Sequence, residues 1–243
     1  MSAAMPIEMR TSARPGGQGS FRAPIGAATY RMLTGRNPAD ATIEDEDSFD
    51  KHVFASILAV AAMEGGTVAE RAGLTAGDLV TLIERFFSAA GDVAALWNAP
   101  AHRAEDDEMA MVRDLLLANR STENDAGVWL AGMVARRAME PNHLWEDLGL
   151  RDRSELTRLL TRHFLPLASR NTKNMRWKRF FYRVMCEDDG FVMCSTPICS
   201  QCADFDLCFG DESGESRLAS RRRDFGLKAA LPREAAVVHS APA

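Results

Sequence analysis

All five cysteines of this 243-residue chain fall within 23 consecutive positions, from Cys186 to Cys208. The last four follow the spacing Cys194-x4-Cys199-x2-Cys202-x5-Cys208. Cysteines that serve as small apolar core residues would not concentrate in this way. Four soft thiolate ligands on one short segment favour a metal ion or an iron–sulfur cluster. This part of the chain is therefore predicted to fold around a bound group.

The spacing of the cysteines leaves more than one kind of bound group open. Structural zinc sites usually have two close cysteine pairs, whereas this chain has one tight pair, Cys199-x2-Cys202, with Cys194 and Cys208 further away. The Cys-x4-Cys-x2-Cys part matches the first three ligands of plant-type ferredoxins, although their fourth cysteine lies much later in the chain. The spacing favours an iron–sulfur cluster and leaves zinc or disulfides as alternatives.

Segments around the cysteines resemble the NifQ family. The resemblance extends from about residue 50 to residue 210 and is strongest after residue 143. It is carried by His143 to Leu150, Ser154 to Leu156, Asn174 to Arg183, Cys186-Glu187, the four spaced cysteines and Phe209-Gly210. The aromatic and basic run before the cysteines makes this pattern more specific than the cysteine spacing alone.

The resemblance implies a function in nitrogen fixation. NifQ proteins are implicated in supplying molybdenum for the iron–molybdenum cofactor of nitrogenase. By resemblance, the four spaced cysteines hold an iron–sulfur cluster of the 3Fe-4S or 4Fe-4S type, which binds molybdenum and donates it as a Mo–Fe–S cluster. The implied partners are molybdate or another molybdenum source, the scaffold protein of cofactor assembly and the nitrogenase iron protein. The chain is then a metal carrier and not an enzyme, and it contains no hydrolase, phosphate-loop or dinucleotide motif.

Two other functions fit the same cysteine pattern. In the first, zinc staples the cysteine loop to a helical interaction module and has no chemical role. In the second, the iron–sulfur cluster serves as a simple electron carrier that does not bind molybdenum. Colour distinguishes the zinc-stapled module from both functions that use a cluster, because an iron–sulfur protein is brown and a zinc protein is colourless.

Three further residues are candidate ligands. Cys186 lies at the end of a predicted helix, eight residues before Cys194, and is either an additional or reserve ligand or a structural thiol. His143 and His163 fall in the part of the chain with the strongest resemblance, and imidazole is a common metal ligand. Histidines in helical domains also serve as caps or packing residues, so both roles stay open.

A row of arginines on the helix before the cysteines is a candidate binding surface. Arg176, Arg179 and Arg183 are spaced i, i+3 and i+7, so they share one helix face. Such a face either attracts an oxyanion or an acidic partner, or it is an ordinary solvated face beside an apolar core.

Apolar residues recur at helical spacing along much of the chain, and sustained strand-like alternation is absent from the sequence. Helix-capping residues precede three of these stretches: Asp45, Asp47 or Asp50, then Thr75, then Asp152 or Ser154. Further helices are predicted from the acidic run at residue 105 to about Arg120, over Asp125 to Ala138, and from about Thr172 to Cys186. The sequence predicts an all-α fold, a helical bundle with a C-terminal cysteine-rich metal-binding loop.

Composition divides the chain into four predicted parts. Residues 1–46 are rich in glycine, proline and serine and are predicted to be mostly disordered, with one short helix near residues 27–33. Residues 47–185 form the helical domain, and residues 186–210 form the cysteine-rich cluster-binding loop. Residues 211–243 are predicted to be a flexible tail.

Charge and hydropathy argue against several function classes. A net charge of −5 argues against general nucleic-acid binding. The sequence has no apolar run of about 18 residues that could span a membrane, and its first residues lack the apolar core of a secretion signal. The protein is predicted to be soluble and cytoplasmic. In the reducing cytoplasm, clustered cysteines bind metals more often than they form disulfides.

Overall fold

The computed structural model describes residues 19–91, 93, 97, 106–188 and 205–210. In these residues the chain is helical and forms no strand, which confirms the predicted all-α fold. Short 3-10 turns cover Pro38–Asp40 and Ser88–Ala90. The helices are α1 (Gly19–Thr34), α2 (Glu46–Ala62), α3 (Val68–Ala72), α4 (Ala76–Phe86), α5 (Asp107–Ala118), α6 (Asp125–Ala138), α7 (Leu144–Asp147), α8 (Arg153–His163), α9 (Leu165–Ala168), α10 (Trp177–Asp188) and α11 (Phe205–Phe209). None of these described helices is long and apolar enough to cross a membrane.

The helical body begins earlier than the predicted boundary at residue 46. Helix α1 packs along α2, and its Tyr30 and Leu33 side chains are buried, at 2% and 5% exposure. The short helix predicted near residues 27–33 is therefore part of a longer helix that closes one side of the core. The glycine-rich and proline-rich composition predicts disorder here, but two large apolar side chains one turn apart are enough to dock a helix.

Several helices begin at the capping residues that the sequence predicts. Asp45, Thr75 and Asp152 each accept a hydrogen bond from a backbone N–H in the first turn of α2, α4 and α8. Helix α6 has the predicted bounds, whereas α10 starts at Trp177 and so begins later than predicted. The delay follows from Asn174, whose φ of 53° is left-handed and cannot continue a right-handed helix.

Helix α6 lies at the centre of the bundle. Nearly all of its residues are buried, and α3, α5 and α7 pack against it. Helix α3 approaches closely because two glycines meet: a Cβ on Gly73 would lie 2.5 Å from the carbonyl oxygen of Gly132. Gly73 also has a φ of 77°, which residues with side chains rarely adopt. A side chain at Gly73 would therefore strain the backbone and push α3 away from α6.

Two buried histidine–carboxylate contacts join α2 to α8. His52 Nε2 lies 3.2 Å from Glu155 Oε2, and His163 Nε2 lies 2.9 Å from Asp50 Oδ1. The Tyr30 hydroxyl lies 2.8 Å from the other ring nitrogen of His52, so α1 joins the same network. Most of these buried polar atoms pair with one another in place of water, which offsets part of the cost of burying them. Nδ1 of His163 has no hydrogen-bond partner among the described residues.

Glu155 is expected to make the fold sensitive to acid. Burial raises the pKa of Glu155, but hydrogen bonds with His52 and Arg151 outweigh burial and lower the pKa from 4.5 to about 2. The folded state therefore favours the ionised carboxylate, so this stabilisation is complete above about pH 4.5 and is lost as the pH falls towards about 2. The full contribution is up to about 3 kcal/mol. Urea unfolding followed from about pH 7 down to about pH 3 measures the larger part of it.

The Glu155→Gln variant isolates this contribution, because glutamine does not titrate. The variant is expected to unfold more easily than the wild type at neutral pH and to lose less stability on acidification. Glu84→Gln, which removes an exposed carboxylate from α4, is the matched control and should leave the pH dependence unchanged. Equal pH dependence in the wild type and in Glu155→Gln would contradict this role of Glu155.

Candidate metal centre around helix α10

Helix α10 connects the cysteine-rich segment to the helical body. Its buried face carries apolar side chains at helical spacing: Trp177, Phe180, Phe181, Val184 and Met185. The rings of Trp177 and Phe180 meet edge to face with centroids 5.7 Å apart, a favourable aromatic geometry. The helix is therefore fixed by the core, and it can hold attached residues in place.

Side-chain hydrogen bonds fix the turn before α10. Asn171 binds the backbone of Met175 twice, accepting from its N–H at 2.8 Å and donating to its carbonyl at 2.9 Å. Arg153 of α8 donates to the carbonyl oxygens of Asn174 and Met175. These contacts determine where α10 begins and therefore where Arg176, the residue before it, is placed.

Lys178 joins the first turn of α10 to a buried carboxylate. Its Nζ lies 2.6 Å from Asp147 Oδ2 at the end of α7 and also donates to the carbonyl of Glu140. Arg137 donates to the carbonyl of Asp147 at 2.7 Å and pairs with Glu64 at 2.9 Å. Burial lowers the pKa of Lys178, although Asp147 favours the charged ammonium. A buried polar network thus connects α10 with α6 and α7.

Cys208, the fourth predicted ligand, lies in α11 against the N-terminal end of α10. Its carbonyl oxygen accepts a hydrogen bond from the backbone N–H of Arg176 at 2.8 Å. The residue is half-buried. The sequence does not predict α11, since a stretch this short carries no helical periodicity. The structure places this cysteine against the helical body.

Cys186 lies at the other end of α10. It is half-buried and follows Arg176 by ten residues, which at helical rise corresponds to about 15 Å along the axis. Cys208 instead contacts Arg176, the residue just before α10 begins. The structure therefore does not bring Cys186 and Cys208 together, and a shared ion would require one end to move.

The three arginines of the predicted oxyanion surface have different surroundings. Arg176 binds backbone carbonyl oxygens of residues 207 and 210 through its guanidinium group. Arg183 pairs with Glu187 at 2.6 Å, and Arg179 is exposed. A common oxyanion site on these three residues stays a prediction.

Ion pairs and a small cavity lie where α10 ends and the cysteine-rich segment begins. Arg170 pairs with Asp188 at 2.9 Å, and hydrogen bonding by Arg170 lowers the pKa of Asp188. A cavity of about 170 Å³ lies beside this pair, and its polar lining includes Arg170, Lys173, Arg183 and Glu187. Because arginines pair with Glu187 and Asp188, these carboxylates add little unbalanced negative charge beside the cysteine-rich segment.

The two candidate histidine ligands both make contacts within the helical body. The backbone N–H of His143 donates to the Glu146 carboxylate, and this pair caps the start of α7. His163 is 1% exposed at the end of α8, and its Nε2 contacts Asp50. Capping and packing are the structural roles that the sequence left open for these residues, and their role as ligands stays a prediction.

The surroundings of Cys208 fit a thiolate ligand. Cys194, Cys199 and Cys202 lie outside the described residues. Within the part of the chain that the structure describes, no three His, Cys, Asp or Glu side chains form a group that could hold a metal. Cys208 is partly accessible, and the backbone N–H of Arg176, just before α10, holds its carbonyl oxygen. Such a thiol can serve an iron–sulfur cluster or zinc, so the described residue fits the group predicted from the sequence.

Comparison with known proteins identifies the family. Residues 53–210 match the NifQ family. The chain is 41% identical to the Protein NifQ homolog of Sinorhizobium fredii (strain NBRC 101917 / NGR234) over 175 residues, which are 70% of this chain and 76% of that protein. It is 40% identical to Protein NifQ of Rhodobacter capsulatus, over 60% of this chain and 80% of that protein. It is 39% identical to Protein NifQ of Azotobacter vinelandii, over 58% of this chain and 77% of that protein. No solved structure matches the chain. The match over most of its length and these levels of identity show that the chain belongs to the NifQ family.

Proposed function

We propose that the protein carries molybdenum on an iron–sulfur cluster and delivers it for assembly of the iron–molybdenum cofactor of nitrogenase. The four spaced cysteines, Cys194, Cys199, Cys202 and Cys208, would hold the cluster. One observation carries the proposal: the family match over residues 53–210 includes all five cysteines of the chain. The shared region therefore contains the whole set of candidate thiolate ligands.

A carrier needs ligands that hold its cargo and a site from which the cargo can leave. When bound, the cluster would supply the sulfide ligands that hold molybdenum. The chain itself would contribute thiolates and a fixed support, which α10 provides for Cys208. This function requires no nucleophile and no general acid or base, so we propose a carrier and not an enzyme. Molybdate or another molybdenum source would load it, and the assembly scaffold and the nitrogenase iron protein would be its partners.

Metal analysis of the full chain tests this proposal. The protein is purified without oxygen from cells grown with molybdate, and iron, acid-labile sulfide, molybdenum and zinc are measured per chain. We expect iron and sulfide with a brown colour and broad visible absorption, together with molybdenum. A matched culture without molybdate should yield iron and sulfide alone. Transfer is then measured by incubating the loaded protein with purified scaffold, separating the two, and determining molybdenum on each.

Each alternative function predicts a different result. A colourless protein that holds only zinc, even after anaerobic reconstitution with iron and sulfide, would indicate a zinc-stapled interaction module. An iron–sulfur cluster that cycles between two redox states and binds no molybdenum would indicate an electron carrier. Molybdenum that binds but never reaches the scaffold would contradict the delivery step.

A further inference from the structure

We propose that Arg176 is a positioning residue that holds Cys208, the fourth cysteine, in place for its bound group. The role of Cys208 as a ligand rests on the proposed function. The contacts between Arg176 and the segment around Cys208 join protein atoms only, so they can be tested separately from metal binding.

One residue binds three carbonyl oxygens of the segment that contains Cys208. The backbone N–H of Arg176 donates to Cys208 at 2.8 Å. Its side chain donates from Nε to Gly210 at 3.1 Å and from Nη1 to Leu207 at 3.4 Å. The hydrogen-bonding groups of Arg176 thus act on both sides of Cys208 as well as on Cys208 itself.

The chemistry of these partners favours an arginine. The last carbonyl groups of a helix have no partner within the helix and carry partial negative charge. A guanidinium group is always charged and presents several donors in a fixed plane, so it can bind two carbonyl oxygens at once. Lysine offers a single mobile ammonium group and would not reproduce this geometry. The interaction therefore depends on the shape of the arginine as well as on its charge.

Helix α11 needs such external contacts. It spans only Phe205–Phe209, and a helix of this length is unstable by itself in water. At its C-terminal end, the N–H of Gly210 donates to the carbonyl oxygen of Asp206 at 2.9 Å. The position of Cys208 therefore depends on what holds α11 against α10.

Gly210 provides the space that the Arg176 side chain occupies. A Cβ at this position would lie 2.7 Å from Arg176 Nη2 and 2.5 Å from the carbonyl oxygen of Asp206. Both separations are shorter than real Cβ atoms adopt, so a side chain at residue 210 would displace the guanidinium group. Arg176 and Gly210 thus form two halves of one contact, which can be disrupted from either side.

Alkylation of the metal-free full chain tests whether Arg176 positions Cys208. Reduced protein is treated with iodoacetamide, and the rates at Cys208 and Cys186 are followed by peptide mass spectrometry. In Arg176→Gln, the rate at Cys208 is expected to rise about tenfold, the factor that corresponds to the net loss of about one charged hydrogen bond. The rate at Cys186 should not change, because that thiol lies at the other end of α10. Arg31→Gln, an exposed arginine of α1, is the matched control.

A second pair of variants separates positioning from general destabilisation. Gly210→Ala should raise the Cys208 rate as Arg176→Gln does, and Arg176→Lys should restore little of the wild-type rate. Thermal unfolding midpoints equal to that of the wild type show that the variants are folded. An unchanged Cys208 rate in folded Arg176→Gln and Gly210→Ala would overturn the proposal. Equal acceleration at Cys186 would overturn it as well, because that result indicates loosening of the whole helix.

Iron retention links the contact to the bound group. After anaerobic reconstitution, loss of iron to a colorimetric chelator is expected to be about 10- to 100-fold faster in Arg176→Gln, as for other residues that orient a metal ligand. Iron loss at the wild-type rate would overturn the role of Arg176 towards the bound group. If the wild type takes up no iron while alkylation responds as expected, the proposed function fails and the placement of Cys208 by Arg176 stands.

Discussion

Replacement of Cys208 with alanine is expected to remove the cluster from anaerobically reconstituted protein. Loss of a residue that merely orients a ligand typically lowers metal affinity about 10- to 100-fold, so loss of the ligand itself should lower bound iron by at least about tenfold. Iron and acid-labile sulfide per chain, measured after gel filtration without oxygen, test this expectation. Alanine variants of Cys194, Cys199 and Cys202 are expected to behave in the same way, and each should also fail to donate molybdenum.

Cys186→Ala is the matched control for these variants. Cys186 lies at the end of α10 away from Cys208, about 15 Å along the helix from Arg176, so the variant is expected to keep the iron content of the wild type. Iron loss as severe as in Cys208→Ala would show that both thiols serve one group and that α10 or α11 must rearrange. Wild-type iron content in Cys208→Ala would remove Cys208 from the set of ligands.

Replacement of Lys178 with methionine is expected to destabilise the helical body by about 3–5 kcal/mol. Methionine keeps a similar length but leaves the Asp147 carboxylate, which is 2% exposed, without its cation. Asn142 still donates to the other carboxylate oxygen at 3.0 Å, but a neutral amide does not balance a buried charge. Urea unfolding at neutral pH, monitored by the far-ultraviolet signal of the helices, gives the change in the free energy of unfolding.

A double-mutant cycle tests whether the pair itself is responsible. Asp147→Asn removes the buried charge, so Lys178→Met combined with Asp147→Asn should lose less stability than the two single variants added together. Lys51→Met, which removes an exposed lysine from α2, should change the free energy of unfolding by less than about 0.5 kcal/mol. Strict additivity of the two single effects would indicate that Lys178 stabilises the fold by packing and not by its contact with Asp147.

Local chemistry made part of this fold predictable. Asp45, Thr75 and Asp152 cap helices in the structure because a side-chain oxygen before an apolar periodic stretch satisfies backbone N–H groups that the helix leaves open. The bounds of α6 were predictable for a similar reason, because an acidic residue, Asp125, begins the helix and basic residues lie in the last turn before Ala138. In each case the deciding interactions lie within a few residues of each other.

Contacts between distant residues account for what the sequence did not predict. Lys178 lies in the basic run before the cysteines, yet it meets a carboxylate that lies 31 residues earlier in the chain. Arg176 looks like a member of an oxyanion surface, yet it binds carbonyls 31 and 34 residues later. Helix α1 looks disordered by composition, yet Tyr30 reaches His52 of α2. Periodicity describes one helix at a time and cannot identify partners across the fold.

The short contact between α11 and the start of α10 also defines an opening equilibrium. Three hydrogen bonds with a net contribution of about 1 kcal/mol each favour the docked state by at least about a hundredfold, since Cys208 and Phe209 also pack against the core. A small detached population, at most on the order of one molecule in a hundred, would then exist while the rest of the fold stays intact. A bound group that depends on Cys208 could leave through this population at a rate set by local opening. Native-state hydrogen exchange at the amide of Arg176 would report that rate, because this amide donates to Cys208 only while α11 is docked.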